Sequence, residues 1–208
     1  MALRIKICGI TNREDAEAAV AAGADALGFI LYEKSQRFIP IEEAIKITKE
    51  LPPFVQTVAV TVNATKEFSN LGWRKLLRNF GVAQLHGNES PVHCKAVGKY
   101  LPVIKVFAAD EEALSAPANY QVAAFLLDTP SEGYGGTGKT FDWGLALEFK
   151  KRTSKPLILS GGLNPENVAK AVETVHPYAV DASSGLEASP GKKDHAKLRD
   201  FIQICKSL

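Results

Sequence analysis

Leu3-Arg4-Ile5-Lys6-Ile7-Cys8-Gly9-Ile10-Thr11 is the stretch that decides the fold. Arg4, Lys6 and Cys8 alternate with Leu3, Ile5 and Ile7, a period of two that makes a strand with one polar and one apolar side. A polar side normally faces water, but the residues that follow argue otherwise. Gly9 breaks the strand, and Thr11-Asn12-Arg13-Glu14 has the spacing of a capping box with Thr11 as the cap. Ala16, Ala19, Val20 and Gly23 then recur at i, i+3, i+4 and i+7, the small-residue face of a helix. Taken alone, Cys8 reads as a buried core cysteine. At the carboxyl end of a strand, just before a helix, it also stands where barrels of alternating strands and helices place their chemistry.

Outward from this unit the pattern repeats. Asp25 to Leu31 is apolar, as a strand covered on both faces should be. A loop from Tyr32 to Pro40 carries Lys34, Ser35, Gln36 and Arg37. Pro40 opens a helix with Ile41, Ala44, Ile45 and Thr48 on one face, and Pro52-Pro53 ends it. Thr57 to Val62 is the third strand. Thr65 caps a third helix running to about Asn79, with Leu76, Leu77 and Phe80 inward. Val82 to His86 is the fourth strand, and Ser90-Pro91 starts the next helix. Val103 to Phe107 is the fifth, with a short helix near Glu111. Val122 to Asp128 is the sixth, followed by a glycine-rich loop and a helix from Trp143 capped by Asp142. Pro156 to Ser160 is the seventh, and Asn164-Pro165 supplies an N-cap and first-turn proline to its helix. Tyr178 to Asp181 is the eighth. Leu198, Phe201, Ile202 and Cys205 mark the last helix.

Eight strand–helix units in 208 residues leave about 26 residues each, enough for a strand, a helix and two short loops. Alternating β and α implies a parallel sheet. Eight units imply closure, which removes both sheet edges. The expected fold is α/β, a single-domain (β/α)8 TIM barrel spanning residues 1–208. An open doubly wound sheet would want a glycine fingerprint after the first strand, and Cys8-Gly9-Ile10-Thr11 lacks it.

Composition narrows the function classes. A net charge of +2 implies no strong nucleic-acid or membrane field. The longest apolar run, Val122 to Leu127, is too short to span a bilayer. Met1 leads directly into the first strand without a signal-peptide core. Cys8, Cys94 and Cys205 show neither zinc nor disulfide spacing, so a reducing, cytoplasmic setting is expected. Nothing distinguishes a monomer from a homodimer.

The polar residues that close the strands are Cys8, Asn63, His86, Asp128 and Ser160, with Ser183 and Ser184 just past the eighth. In a closed barrel they converge on one mouth. Gly161-Gly162 and Ser183-Ser184-Gly185 follow strands seven and eight, the common phosphate position of barrels. Glycine lets backbone N–H groups approach an anion, and serine adds donors. Gly and Ser also simply make turns. Asp128, after an apolar strand, is expected to be partly desolvated and suited to proton donation, or else to cap a turn. Arg37 can fork onto a carboxylate, or remain a solvated loop arginine. His86 can donate to a ligand or serve the structure.

Gly133 to Thr140 matches G-x-x-x-x-G-K-[ST], but the context is wrong for a nucleotide loop. The best helix cap, Asp142, comes after the Lys-Thr pair, and too little chain follows to finish a nucleotide-binding sheet. The stretch reads instead as a lid after the sixth strand.

Together these motifs resemble the phosphoribosylanthranilate isomerase family of tryptophan biosynthesis. They are Lys6 to Thr11, Gly28-Phe29-Ile30, Gln84-Leu85-His86-Gly87, Leu126 to Thr129, Gly135 to Gly138 with Phe141-Asp142-Trp143, Ser160 to Leu163, and Asp181 to Gly185. The resemblance covers essentially the whole chain. It departs at Gln36, where the family usually has proline, and at Thr61, where it often has an aromatic. It implies an aldose–ketose isomerase performing an Amadori rearrangement on a small phosphorylated substrate, N-(5'-phosphoribosyl)anthranilate. It implies Asp128 as the acid that opens the ribose ring and Cys8 as the thiolate that takes a proton from the adjacent carbon. It further implies Arg37 on the anthranilate carboxylate, and Gly161, Gly162, Ser183, Ser184 and Gly185 around the phosphate. No metal or cofactor is called for, because the iminium is itself the electron sink.

A related histidine-pathway isomerase would typically use two aspartates, against Cys8 here. A metal-dependent epimerase would need clustered ligands that four histidines do not provide. A non-catalytic phosphate-binding barrel would lack the Cys8–Asp128 combination. One further expectation comes from the alternation itself. Lys6 shares the inward face with Cys8, a charge inside a barrel needs a partner, and Asp181 on the neighbouring eighth strand is the candidate.

Overall fold

The polar side of the first strand turns inward. In the computed structural model, which describes residues 2–64, 70–130 and 140–208, Lys6 and Cys8 are buried along with Ile5 and Ile7. Both sides of the strand are covered, one by helices and the other by the barrel's own interior.

Eight parallel strands make a closed barrel in sequence order. They are β1 (Arg4–Cys8), β2 (Ala26–Ile30), β3 (Gln56–Thr61), β4 (Val82–Leu85), β5 (Val103–Ala108), β6 (Ala124–Asp128), β7 (Leu157–Leu159) and β8 (Ala179–Ala182). Closure is made by β1 against β8, in a register that sets Lys6 beside Asp181. On its other side β1 sets Cys8 beside Gly28 of β2.

The described helices are α1 (Arg13–Ala22), α2 (Ile41–Thr48), α3 (Leu71–Leu77), α4 (Pro91–Val97), α5 (Trp143–Lys151), α6 (Val168–Val175) and α7 (His195–Lys206). Two 3-10 turns, Glu112–Ser115 and Pro117–Asn119, stand between β5 and β6. Among the described residues no helix is long and apolar enough to cross a membrane.

Period-two alternation divides the apolar residues between two compartments. Ile5, Ile7, Leu27, Phe29, Phe125 and Leu127 pack outward with Ala16, Ala19, Phe149 and Phe201 of the helices. Val106, Ala124, Leu126 and Ile158 fill one part of the barrel, and Cys8, Val58 and Val60 another. Phe125 meets Phe149 of α5 edge-on at 5.4 Å, so truncating it to alanine should cost about 3–5 kcal/mol.

Two helix starts differ from the sequence expectation. The cap of α1 is Asn12, whose side chain accepts from the Asp15 N–H at 2.8 Å. The Thr11 hydroxyl is instead donated to the Gly191 carbonyl, a partner 180 residues away that no local pattern reveals. α6 begins at Val168, later than Asn164-Pro165 suggests. The Asn164 Oδ1 accepts from the N–H groups of Glu166 and Asn167, at 2.9 and 3.2 Å, and turns the chain before the helix starts. The Ser90 and Asp142 caps stand as read. Thr65 and the Gly133–Lys139 part of the glycine-rich loop lie outside the described residues, as does the side chain of Leu76.

A short antiparallel hairpin, β9 (Glu187–Ser189) with β10 (Lys192–Lys193), follows β8 and has no counterpart in the sequence expectation. It carries two charged residues into the site.

Candidate active site

Lys6 and Cys8 lie two apart on β1 and point into the barrel together. The Lys6 Nζ donates to Asp181 Oδ1 at 2.7 Å, with both side chains almost entirely buried. Burial opposes the lysine's charge, yet Asp181 and Cys8 prevail and hold its pKa above the ordinary lysine value. The Cys8 pKa is also held above the ordinary thiol value. Burial pushes the thiol up, Lys6 pulls it back, and Asp181 adds to the rise. Gly28 of β2 is what lets the two side chains meet. A Cβ there would fall 2.8 Å from Cys8 Sγ and 3.1 Å from Lys6 Nζ.

Arg37 is held by the hairpin. Its Nε donates to Glu187 Oε1 at 2.8 Å and its Nη2 to Glu187 Oε2 at 2.8 Å, a bidentate fork. Lys193 approaches the same carboxylate, Nζ to Oε1 at 3.0 Å, and also donates to the Ser183 carbonyl at 3.2 Å. Burial works against the Glu187 charge, but Arg37 and Lys193 outweigh it and keep its pKa below the usual carboxylate range. For Lys193 burial wins, and its pKa falls despite Glu187. The fork of Arg37 therefore serves the protein, and its Nη1 is the nitrogen without a partner among the described residues.

The sequence reading missed Glu187 and Lys193. The signal lay in Ser189-Pro190-Gly191, a turn between two short polar runs. Asp15, also unread, ties this hairpin to the start of α1. It accepts the Lys193 N–H at 2.8 Å and faces His195 Nε2 at 2.7 Å.

Asp128 ends β6 and accepts the Thr129 N–H at 2.8 Å. His86, just past β4, brings Nε2 to 3.4 Å from Asp128 Oδ2. The other ring nitrogen, Nδ1, lies 3.4 Å from Gln84 Nε2. Gln84 is fully buried two residues earlier on the same strand. The ring thus stands between the Gln84 amide and the Asp128 carboxyl, able to exchange a hydrogen bond with each. Beneath this pair the loop after β4 is braced by Glu89. It takes a 2.9 Å ion pair from Lys105 and the N–H groups of Asn63 and Gly87, at 2.8 and 3.0 Å.

The loops after β7 and β8 approach each other closely. Gly161 and Gly162 both have positive φ, +88° and +64°, which a side chain would strain. The Asn167 amide holds the Gly162 carbonyl at 3.0 Å. Ser184 opens a 3-10 turn ending at Leu186, and Gly185 lies against Leu163 and Asn164. The Ser183 Oγ is buried without a hydrogen-bond partner among the described residues. Such an atom is costly unless something else supplies its partner.

One cavity of about 360 Å³ is lined by Cys8, Arg37, His86, Asp128, Ser160, Asp181 and Ser183, among others. Five of the expected site residues thus meet in its wall. Gly161, Gly162, Ser184 and Gly185 stand in the adjoining loops. Asn63 is taken out of the set, since its Oδ1 accepts the Asn88 N–H at 2.7 Å to tie two loops together. A thiol beside an ammonium, a carboxyl beside a histidine and an unpaired hydroxyl, all facing one small space, suit proton transfer on an anionic substrate.

Known proteins resemble this chain over nearly its whole length. The chain is 49% identical to the N-(5'-phosphoribosyl)anthranilate isomerase of Geobacter metallireducens, over 99% of this chain and 100% of that one. It is 47% identical to the isomerase of Thermotoga maritima, over 99% and 100%. The crystal structure of the Thermotoga maritima isomerase superposes with a TM-score of 0.88 over 99% of this chain and 100% of that one. Another solved phosphoribosylanthranilate isomerase, 43% identical with a TM-score of 0.85 over 99% and 100%, is in complex with reduced 1-(o-carboxyphenylamino)-1-deoxyribulose 5-phosphate. The family model for N-(5'phosphoribosyl)anthranilate (PRA) isomerase matches residues 5–204. By sequence and by barrel fold, the chain belongs to the PRA isomerase family of tryptophan biosynthesis.

Proposed function

We propose that Cys8 and Asp128 are the base and acid of the Amadori rearrangement that turns N-(5'-phosphoribosyl)anthranilate into 1-(2-carboxyphenylamino)-1-deoxyribulose 5-phosphate. The observation that carries this division is that both line one small cavity, each with a different partner. Asp128, with His86 beside it, gives its proton to the ribose ring oxygen. The ring C–O bond breaks as the anilino nitrogen's electron pair forms the iminium. Cys8 as thiolate takes the proton from the neighbouring carbon, and the C–H electron pair flows to the iminium nitrogen. The resulting enol becomes the ketone as the Cys8 thiol returns its proton to the nitrogen-bearing carbon and the enol hydroxyl gives up its own, which restores the Asp128 acid. Atoms and electrons balance within the substrate, so no cofactor or metal enters the reading.

The Arg37 Nη1 faces the anthranilate carboxylate in this reading, with Glu187 fixing the rest of the guanidinium. The phosphate occupies the cup of Gly161, Gly162, Ser183, Ser184 and Gly185, where the unpaired Ser183 hydroxyl gains its partner. Residues 1–208 act as one domain on this reading, in the cytoplasm, where the three cysteines stay free. The direct test is to add purified protein to freshly made phosphoribosylanthranilate and follow the loss of its fluorescence. An unaccelerated decay would end the reading.

A second reading concerns assembly. Phe54, between α2 and β3, is 97% exposed. It stands with Val58, Val82, Ile104 and Ile158 around a mainly apolar hollow of about 380 Å³ at the amino-terminal end of the strands. A large exposed apolar side chain beside such a hollow marks an interaction face. The Thermotoga maritima isomerase is described as dimeric. We infer that this face pairs with a second copy of the chain.

A further inference from the structure

The wall around Cys8 is unevenly charged. Among the described residues, Lys6 on β1 pairs with Asp181 on β8, while Lys193 on β10 and Arg37 in the loop after β2 share the single carboxylate of Glu187 on β9. Lys34 adds a further cation to the cavity lining, to which β6 contributes Asp128 and the loop after β4 His86. Of all these groups, Lys6 shares the strand face with Cys8. Its ammonium and the Cys8 sulfur crowd the same point, both within about 3 Å of where a Gly28 side chain would begin.

We propose that the Lys6 ammonium is the counter-ion of the Cys8 thiolate, a positioning residue for the base, held by Asp181 and given room by Gly28. The proposal rests on Cys8 being the base and adds what lets it ionise inside a barrel. A buried anion needs a charged or hydrogen-bonded partner. Asp181 has two effects. It keeps Lys6 protonated and in place, and its own negative charge opposes a second anion at Cys8. When Cys8 takes the substrate proton it becomes a neutral thiol, and Lys6 returns wholly to Asp181. Lys6 itself exchanges no proton.

The test reads Cys8 ionisation without substrate. Iodoacetamide alkylation of the full-length protein is followed against pH, and modification at Cys8 is quantified separately by mass spectrometry. Cys94 and Cys205 are held apart by burial, which pushes their thiols up to about 11 and about 12. Lys6→Met should move the Cys8 midpoint up by at least about one pH unit, or about tenfold slower alkylation at neutral pH. Asp181→Asn should move it down, because the competing anion is gone while the asparagine Oδ1 can still accept from the ammonium and hold it beside the sulfur. Lys6→Met leaves Asp181 buried without its partner, so the double variant Lys6→Met/Asp181→Asn guards against misfolding of the single one. Its midpoint should also rise, since the Lys6 ammonium crowds the sulfur directly while Asp181 is hydrogen-bonded to that ammonium.

Opposite signs for the two single changes are the signature of electrostatic support, because a merely structural lysine would not produce them. A double variant with an unmoved or lowered midpoint overturns the proposal, as do single variants that shift the same way. Turnover by Cys8→Ser separately reports whether Cys8 is the base, so failure of one idea is not mistaken for failure of the other.

Discussion

Lys6 and Asp181 are 175 residues apart in the chain and 2.7 Å apart in the barrel, the pair that bridges β1 and β8 where the sheet closes. Removing one partner of a buried pair strands the other charge and typically costs about 3–5 kcal/mol. Replacing both by apolar residues of similar volume is often close to neutral. Lys6→Met alone should therefore lower stability by about that amount in urea titration, and Lys6→Met/Asp181→Leu should recover most of it. Equal losses in the two variants would mean that packing, not charge, holds this seam.

Gly28 is where the seam meets the proposed base. A Cβ at this position would meet both Cys8 Sγ and Lys6 Nζ. Overpacking of this kind usually costs about 1–3 kcal/mol. Gly28→Ala should lower the thermal midpoint accordingly and reduce kcat more than it raises KM, since the phosphate loops are untouched. Steady-state kinetics at wild-type KM and kcat would show the contact to be dispensable.

The hairpin carries a pH signature. Glu187 is depressed below its ordinary pKa by Arg37 and Lys193, against the effect of burial. A carboxylate depressed in the folded state contributes stability that is fully present above its unfolded pKa of about 4.3 and is lost as pH falls through the folded value. Glu187→Gln should cost about 2 kcal/mol at pH 7, in the range of hydrogen bonds to charged groups. The gap from wild type should close as pH falls from about 5 toward 3. A gap that persisted unchanged at low pH would assign the loss to packing.

Phe54 tests the assembly. Sedimentation velocity should find the wild-type chain as a dimer and Phe54→Asp as a folded monomer, because a buried charge without a partner opposes association. A monomeric wild-type chain would dismiss the interface.

What the sequence made legible follows from how far each signal reaches. Cys8, His86 and Asp128 were visible as candidates because each closes a strand, and strand ends converge once the barrel closes. The Lys6–Asp181 pair followed from alternation plus closure, two regularities that need no detailed packing. Glu187 stayed hidden because its partner Arg37 is 150 residues away and its own neighbourhood reads as a polar turn. The same holds for Thr11, whose hydroxyl is taken by Gly191 and leaves the cap to Asn12. Gln84 was seen in a motif, but its position behind His86 emerges only from the fold. Strand and helix periods are local properties of the chain, whereas side-chain partners are chosen by the assembled barrel.

Turnover of fresh phosphoribosylanthranilate by Cys8→Ser, beside Asp128→Asn, tests the proposed division of labour between Cys8 and Asp128. An alcohol ionises far less readily than a thiol, whose reference pKa is about 8.5, and an asparagine amide cannot protonate the ring oxygen. Each variant should lose at least about 10²–10⁴-fold in kcat while KM changes little. A pre-opened substrate analogue should restore turnover to Asp128→Asn but not to Cys8→Ser. Near-wild-type kcat for Cys8→Ser would contradict the account and leave Cys8 as a packing residue.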